Sequence, residues 1–397
     1  MYRVLSLSLF VAAFVVTDLS AQTPTKNVCG ALAPDLTGDA NPPPPFEHLF
    51  RTRAYLKCRQ SQAGATQRVG PAPEGRFVLI PNADPKAINA AGDVTGNYFD
   101  SNGEHGFIFS HQAALTLIDI PAATYTHAAA ISASGEIAGY FHRDESGDCS
   151  GGEHGFVRAK NGAITYFDIP NAYETRPVAF SQAGDLTGFF YECGGRQRGF
   201  LRSRDGALTL FDVPPVSGAS EMETEPVAIN PEGEVTGNWR ADPTGRTLRS
   251  GFLRGAGGGI VTFNVVDPQH CESVCYTTPV AINPGGVITG VYKFGSFRTP
   301  SHGFVRAPDG NFTMFNVSNL SDLTTPVGIT PGGEVVGYYS GPSGTCGFIR
   351  ARSGAFTTFN VPGAFDTYPA AVNPSGAVAG TYCCDAQGAA AGFIWTK

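Results

Sequence analysis

Charge is scarce in this chain: only 15% of its 397 residues are Asp, Glu, Lys or Arg, and the formal balance is −7. A thinly charged, acidic protein lacks the basic face that phosphate backbones require, so nucleic acid is not an expected partner. Long apolar runs are missing too. The stretch from Leu5 to Val16 is too short to cross a bilayer, and no later run is long enough, so no membrane span is expected. The sequence holds no Gly-x-Ser-x-Gly elbow, no His-Glu-x-x-His pair and no phosphate-cradling loop. Its cysteines lack paired Cys-x-x-Cys spacing, which counts against a zinc site. No cofactor and no metal are implied.

What is present begins with an export signal. Arg3 lies in a short n-region, an apolar segment follows, and Leu19-Ser20-Ala21 offers a small residue at the cut. Residues 1–21 therefore read as a signal peptide, and the mature chain as secreted or periplasmic. Residues 22–75 read as a Pro-rich extension or linker, with Asn41 to Pro45 its stiffest part. Nine cysteines in an exported chain favour disulfides. The expected staples are Cys149 with Cys193 and Cys346 with Cys383 or Cys384, with Cys29 and Cys58 closing the extension on itself. An odd count leaves one thiol unpaired.

Glycine is abundant, at 50 residues, and its placement exposes a repeat. Seven copies of a four-strand unit, A to D, occupy residues 76–397. Strand A is a short apolar run ending in Asn/Ser/Thr-x-x-Gly: Asn89 to Gly92, Ser132 to Gly135, Ser181 to Gly184, Asn230 to Gly233, Asn283 to Gly286, Thr330 to Gly333 and Asn373 to Gly376. A side-chain acceptor at the first position and Gly at the fourth is type I turn chemistry. Strand B alternates and ends in an aromatic; strand C opens on Gly-Phe; strand D closes each unit near a Pro.

The ends of the array decide its shape. A lone D-like segment, Phe77 to Pro81, precedes the first A strand, and the chain stops at a C strand, Phe393 to Lys397. An N-terminal strand completing the last unit closes a ring and hides its sheet edges. The expected fold is all-β, a seven-bladed β-propeller of four-stranded antiparallel blades. The centre of strand A carries Ala87, Ala130, Ala179, Ala228, Ala281, Gly328 and Ala371, small residues suited to a strand crowded around an axis.

These units resemble the HAF-type (His-Ala-Phe) extracellular repeat family. The resemblance rests on His105-Gly106-Phe107, His154-Gly155-Phe156 and His302-Gly303-Phe304, with Gly where that family has Ala. It implies a propeller and an exported location, and brings no activity.

Strand order sends the variable B–C and D–A loops to one face, where binding residues are expected. The aromatics ending strand B supply the candidate ligand-binding set Tyr98, Trp239, Tyr292, Tyr339 and Tyr382, equivalent to Phe141 and Phe190 in two other units. The competing role for this ring is inter-blade core. Arg158, Arg202, Arg254, Arg306 and Arg350 form either a belt for an anionic ligand or a set paired with Asp and solvent. Two oxygen-rich loops, Asp100 to Glu104 and Asp144 to Asp148, lack full calcium-loop spacing. No catalytic residue is identified. The favoured reading is a non-catalytic exported scaffold binding a protein or glycan through its loop face. The alternative is a propeller hydrolase or lyase acting on a polysaccharide or lactone.

Overall fold

A computed structural model of the chain describes residues 75–144, 152–215, 222–241, 249–267, 276–293, 300–317, 323–341, 344–383 and 390–397. The signal segment, the Pro-rich extension up to residue 74, and Cys29, Cys58, Cys149, Cys271, Cys275 and Cys384 lie outside the described residues. Twenty-eight strands form seven four-stranded antiparallel sheets, and no described residue is helical. No helix among the described residues is long and apolar enough to cross a membrane.

The seven sheets are the blades of a β-propeller. In blade 7 the order from the axis outward is Asp366–Val372, Val378–Cys383, Ala390–Thr396 and then Arg76–Pro81 from the front of the chain. Arg76 pairs with Thr396, and Leu79 with Phe393. The ring therefore closes through the strand that precedes the first repeat, as expected.

Local chemistry explains why each unit folds alike. In every A–B turn the Gly amide donates to the carbonyl of the Asn, Ser or Thr three residues earlier, as Gly92 does to Asn89 at 3.0 Å. The seven turn glycines have φ between 72° and 92°, a region other residues enter only with strain. A second glycine recurs in the B strands for a different reason. A β-bulge interrupts each A–B ladder, at Pro85/Ala87 in blade 1 and Pro226/Ala228 in blade 4. The bulged strand presses a carbonyl onto its partner: a Cβ on Gly96 would sit 2.2 Å from Asp84 O, and one on Gly237 2.1 Å from Glu225 O. Backbone approach is the cause.

Burial follows the strand alternation. The Gly-Phe phenylalanines Phe107, Phe156, Phe200, Phe252, Phe304, Phe348 and Phe393 are all 0% exposed. The small residue of strand A is crowded as anticipated, since a Cβ on Gly328 would lie 2.8 Å from Val372 Cγ1 of the next blade.

Four devices tie blade to blade. First, the A strands start earlier than the sequence suggests and contribute a buried Thr. Its hydroxyl accepts the backbone amide of the preceding blade's D–A connection: Ile120 to Thr126 at 3.2 Å, Ile169 to Thr175 at 3.1 Å, Val213 to Thr224 at 3.0 Å, with Val265, Val317 and Val361 bound likewise to Thr277, Thr324 and Thr367. Blade 1 has Ala83 there, where Asn82 alone joins the closing strand to strand A. Second, Asn side chains of the A–B turns reach across: Asn230 donates to Asn283 O at 3.4 Å, and Asn373 to Asn89 O at 3.0 Å over the closure.

Third, the arginines that follow Gly-Phe lie over the D-strand phenylalanine of the previous blade. Arg202 stands 5.0 Å from the Phe167 centroid, Arg254 5.1 Å from Phe211, Arg306 4.8 Å from Phe263 and Arg350 4.9 Å from Phe315. Burial pushes the pKa of Arg254, Arg306 and Arg350 down. Arg202, Arg254, Arg306 and Arg350 thus form cation–π seams between blades, a role the sequence did not suggest. Blade 7 places Trp395 at the same position, stacked on Phe359 at 4.9 Å. Fourth, at the closing seam Ile80 and Phe109 share one apolar cluster.

Ile80 is 0% exposed. Ile80→Ala is expected to cost about 2–5 kcal/mol in urea melts through the cavity it leaves. Leu117→Ala, on an outer strand at 37% exposure, should stay within about 0.5 kcal/mol of the parent.

Candidate functional site

Because the copies match so closely, positions that do not match stand out. Along each A strand, buried and half-exposed residues alternate. The half-exposed residue after the buried Thr (after Ala83 in blade 1) differs in almost every blade: Asp84, His127, Arg176, Glu225, Thr278, Thr325 and Tyr368. Its cross-strand partner varies as well: Asn97, Tyr140, Phe189, Asn238, Val291, Tyr338 and Thr381. Two rings of unlike side chains thus surround the axis at the end where the B–C and D–A loops converge. One step further in, the lining is nearly uniform: Lys86, then Ala129, Val178, Val227, Val280, Val327 and Ala370.

Ionised and aromatic groups meet in these rings across blades 1 to 4. Arg176 pairs with Glu153 and, at 3.0 Å, with Glu174. Its guanidinium also lies 5.4 Å from the Tyr140 centroid and 5.9 Å from Phe189. Tyr125 donates to Glu153 at 2.6 Å. His127 contacts Glu104 through Nε2 at 2.7 Å and the Asn97 amide through Nδ1 at 2.9 Å, and stacks on Tyr140 at 4.8 Å. Arg240 pairs with Glu223, and Arg249 with Glu225 at 3.2 Å. Across the mouth, Tyr338 and Tyr368 meet edge-to-face at 5.3 Å.

Burial shapes the titration of the cluster. It pushes the Glu174 and Glu225 carboxyls above the usual range, outweighing the neighbouring arginines. It also lifts Tyr140 and Tyr368 to about 12, keeping both phenols protonated as donors. For Arg176 burial acts downward, but the charges of Glu153 and Glu174 carry its pKa up.

The residues proposed from the sequence fall differently. Tyr292 and Tyr339 are 2% exposed and Tyr382 6%, so they pack between blades, while Tyr98 and Trp239 are half-buried. Tyr292 donates to Asp267 at 2.8 Å. The His of the Gly-Phe units bridge strand C to the end of strand D: His105 to Asp119 at 2.6 Å, His154 to Asp168 at 3.1 Å, His302 to Asn316 at 2.9 Å. Cys346 occupies the same position in blade 6. It is a free thiol, raised in pKa by burial and contacted by the Asn360 amide at 3.4 Å, so its expected bridge to Cys383 or Cys384 is not formed. Cys193 and Cys383 each have a partner outside the described residues. Among the described residues, no three His, Cys, Asp or Glu side chains are placed to share a metal ion.

The two rings are hard to find in the sequence because they are the positions at which the copies differ. Their signal was the failure to repeat, three positions before a strongly repeated Ala. The opposite end of the channel holds a cavity of about 240 Å³, walled by turn residues such as Asn89, Ser132 and Asn230 over Ile88, Phe180 and Ile229. Its Asn side chains are engaged: Asn89 accepts the Asp93 amide at 2.9 Å within its turn, and Asn230 donates to Asn283 O across the blades.

No protein-family model matches the chain, and no curated protein matches it in sequence. Solved structures do. A catalytically inactive virginiamycin B lyase from Staphylococcus aureus with quinupristin is 14% identical, with a TM-score of 0.50 over 82% of this chain and 100% of that one. A prolyl endopeptidase is 9% identical, with a TM-score of 0.55 over 86% of this chain and 52% of that one. An acylaminoacyl peptidase from Pyrococcus horikoshii is 10% identical, with a TM-score of 0.51 over 80% and 51%. The chain thus spans about half the length of these two peptidases. At such identities the likeness shows the fold.

His105 offers a check on the loop face. Burial lowers its pKa, but the hydrogen bonds it donates to Asp119 and Asp100, with their charges, outweigh it and the net shift is upward. The stability gained over His105→Gln should be complete below about pH 6.5 and fade as pH rises through the raised value. Urea melts of both proteins from about pH 5 to 8.5 read this margin; a margin that grows with pH would contradict the assignment.

Proposed function

We propose that this chain is an exported, non-catalytic propeller of the HAF-repeat kind that binds a protein or glycan at the channel mouth on its loop face. The observation that carries this reading is the contrast within one array. Seven copies agree at scaffold positions and disagree at the two rings facing the mouth. A rigid frame presenting unlike groups is the arrangement of a recognition surface. The charged groups there are mostly partnered with one another, which suits complementarity more than proton transfer. Disulfides through Cys193 and Cys383 belong to the same proposal, as further anchors for loops on this face.

A second reading has one specific support. Glu174 and Glu225 are held toward their protonated forms close to ionised partners, and such contrasts serve acid–base cleavage of glycosides or lactones. Turnover of chromogenic glycosides or lactones that disappears in Glu225→Gln would establish it.

Glycan and peptide arrays probed with the purified protein test the binding reading. His127→Ala and Tyr368→Ala, both half-exposed at the mouth, should weaken retention about tenfold or more with little change in melting temperature. Retention unaffected by both variants would move the site elsewhere; an array without a single retained probe would end the proposal.

A further inference from the structure

We propose that the ligand of this mouth is a neutral polyhydroxylated sugar chain, with one hydroxyl seated in a small pocket against Asn238 at the junction of blades 3 and 4. The inference rests on the binding reading above and narrows it to one ligand class.

The pocket is lined by Gln197, Glu223, Glu225, Asn238 and Trp239, together with the paired Arg240 and Arg249, and measures about 10 Å³. That is room for about one oxygen atom. Asn238 is 4% exposed, yet its Oδ1 has no hydrogen-bond partner. A buried acceptor left alone costs about 1–3 kcal/mol, so a hydroxyl donor arriving there is stabilised. Asn97, at the equivalent ring position of blade 1, is 2% exposed and its Oδ1 is likewise unpartnered. Two equivalent rungs of the ring thus each bury an unpartnered carbonyl oxygen, and the one at Asn238 borders the pocket.

Charge selects for neutrality. Arg240 is taken by Glu223, Arg249 by Glu225 at 3.2 Å, and Arg176 by Glu153 and Glu174. A carboxylated or cationic ligand would have to break one of these pairs. A hydroxyl only adds a donor to their remaining lone pairs. Aromatic rings complete the complement: Tyr191 adjoins the pocket through its 3.3 Å bond to Gln197, and Tyr338 and Tyr368 stand across the mouth. Ring faces of this kind pack on the C–H faces of pyranoses while their hydroxyls bond the sugar edge.

The chain has two tryptophans, which makes the test direct. Trp239 lines the pocket, whereas Trp395 is 0% exposed on Phe359 in blade 7. The full chain is titrated with cellohexaose, xylohexaose, maltohexaose, mannohexaose and chitohexaose, with an oligogalacturonate, and with a random peptide pool. Emission and calorimetry are followed together. The expected result is a neutral hexasaccharide that perturbs emission in the parent and not in Trp239→Phe. Its affinity should fall about tenfold in Asn238→Ala. That variant removes an unsatisfied acceptor, so its melting temperature should hold, and Tyr368→Ala serves as an independent second loss. Sugar binding untouched by Asn238→Ala overturns the pocket. Binding of only the oligogalacturonate or peptides, lost in Tyr368→Ala, overturns the sugar class and leaves the mouth as a binding site. Binding of nothing overturns both.

Discussion

A β-sheet with two apolar faces cannot stand in water, and each blade here has two. The structure answers with seams: every blade buries both faces against neighbours, and the last neighbour is supplied by a strand from the front of the chain. Repetition follows from that need. The fully buried phenylalanine of strand C, the Thr hydroxyl on the D–A crossover, the Asn reaching across the A–B turns and the guanidinium over a neighbour's ring are all seam chemistry. A single blade would expose all of these contacts, so the array gains its stability collectively.

Much of this was legible before any coordinates. The turn signature placed seven hairpins, and the stray D strand at one end with the missing D at the other dictated closure. The glycine of strand B was visible as a pattern, but its cause was hidden, because a bulge pressing Glu225 O toward Gly237 is a property of two strands in register. The arginines after Gly-Phe illustrate a second limit. In a linear text an Arg suggests an anion or an Asp, whereas the partner here is an aromatic ring far upstream, as Phe263 is for Arg306. The aromatics of strand B were half-understood: Tyr292 and Tyr339 are core, while Trp239 keeps one edge on a polar pocket.

The site itself was the least legible part. Its residues lie on the innermost strands, beside the positions that define the repeat, and not in the variable loops where attention naturally goes. A ring such as Asp84, His127, Arg176 and Glu225 becomes a ring only when the blades are arranged about an axis. Charge pairing then links positions more than twenty residues apart, as between Glu153 and Arg176.

The guanidinium–phenylalanine stacks have one more implication. Neither member changes protonation in the range where proteins live, since arginine keeps its proton and a benzene ring has none to lose. These contacts sit beside the C–D turns, while the His105 bridge to Asp119 sits at the opposite rim. The toroid is therefore held by contacts of unlike temper: the cation–π seams of blades 2 to 6 are indifferent to acidification, whereas the His105 bridge to Asp119 and Asp100 is not.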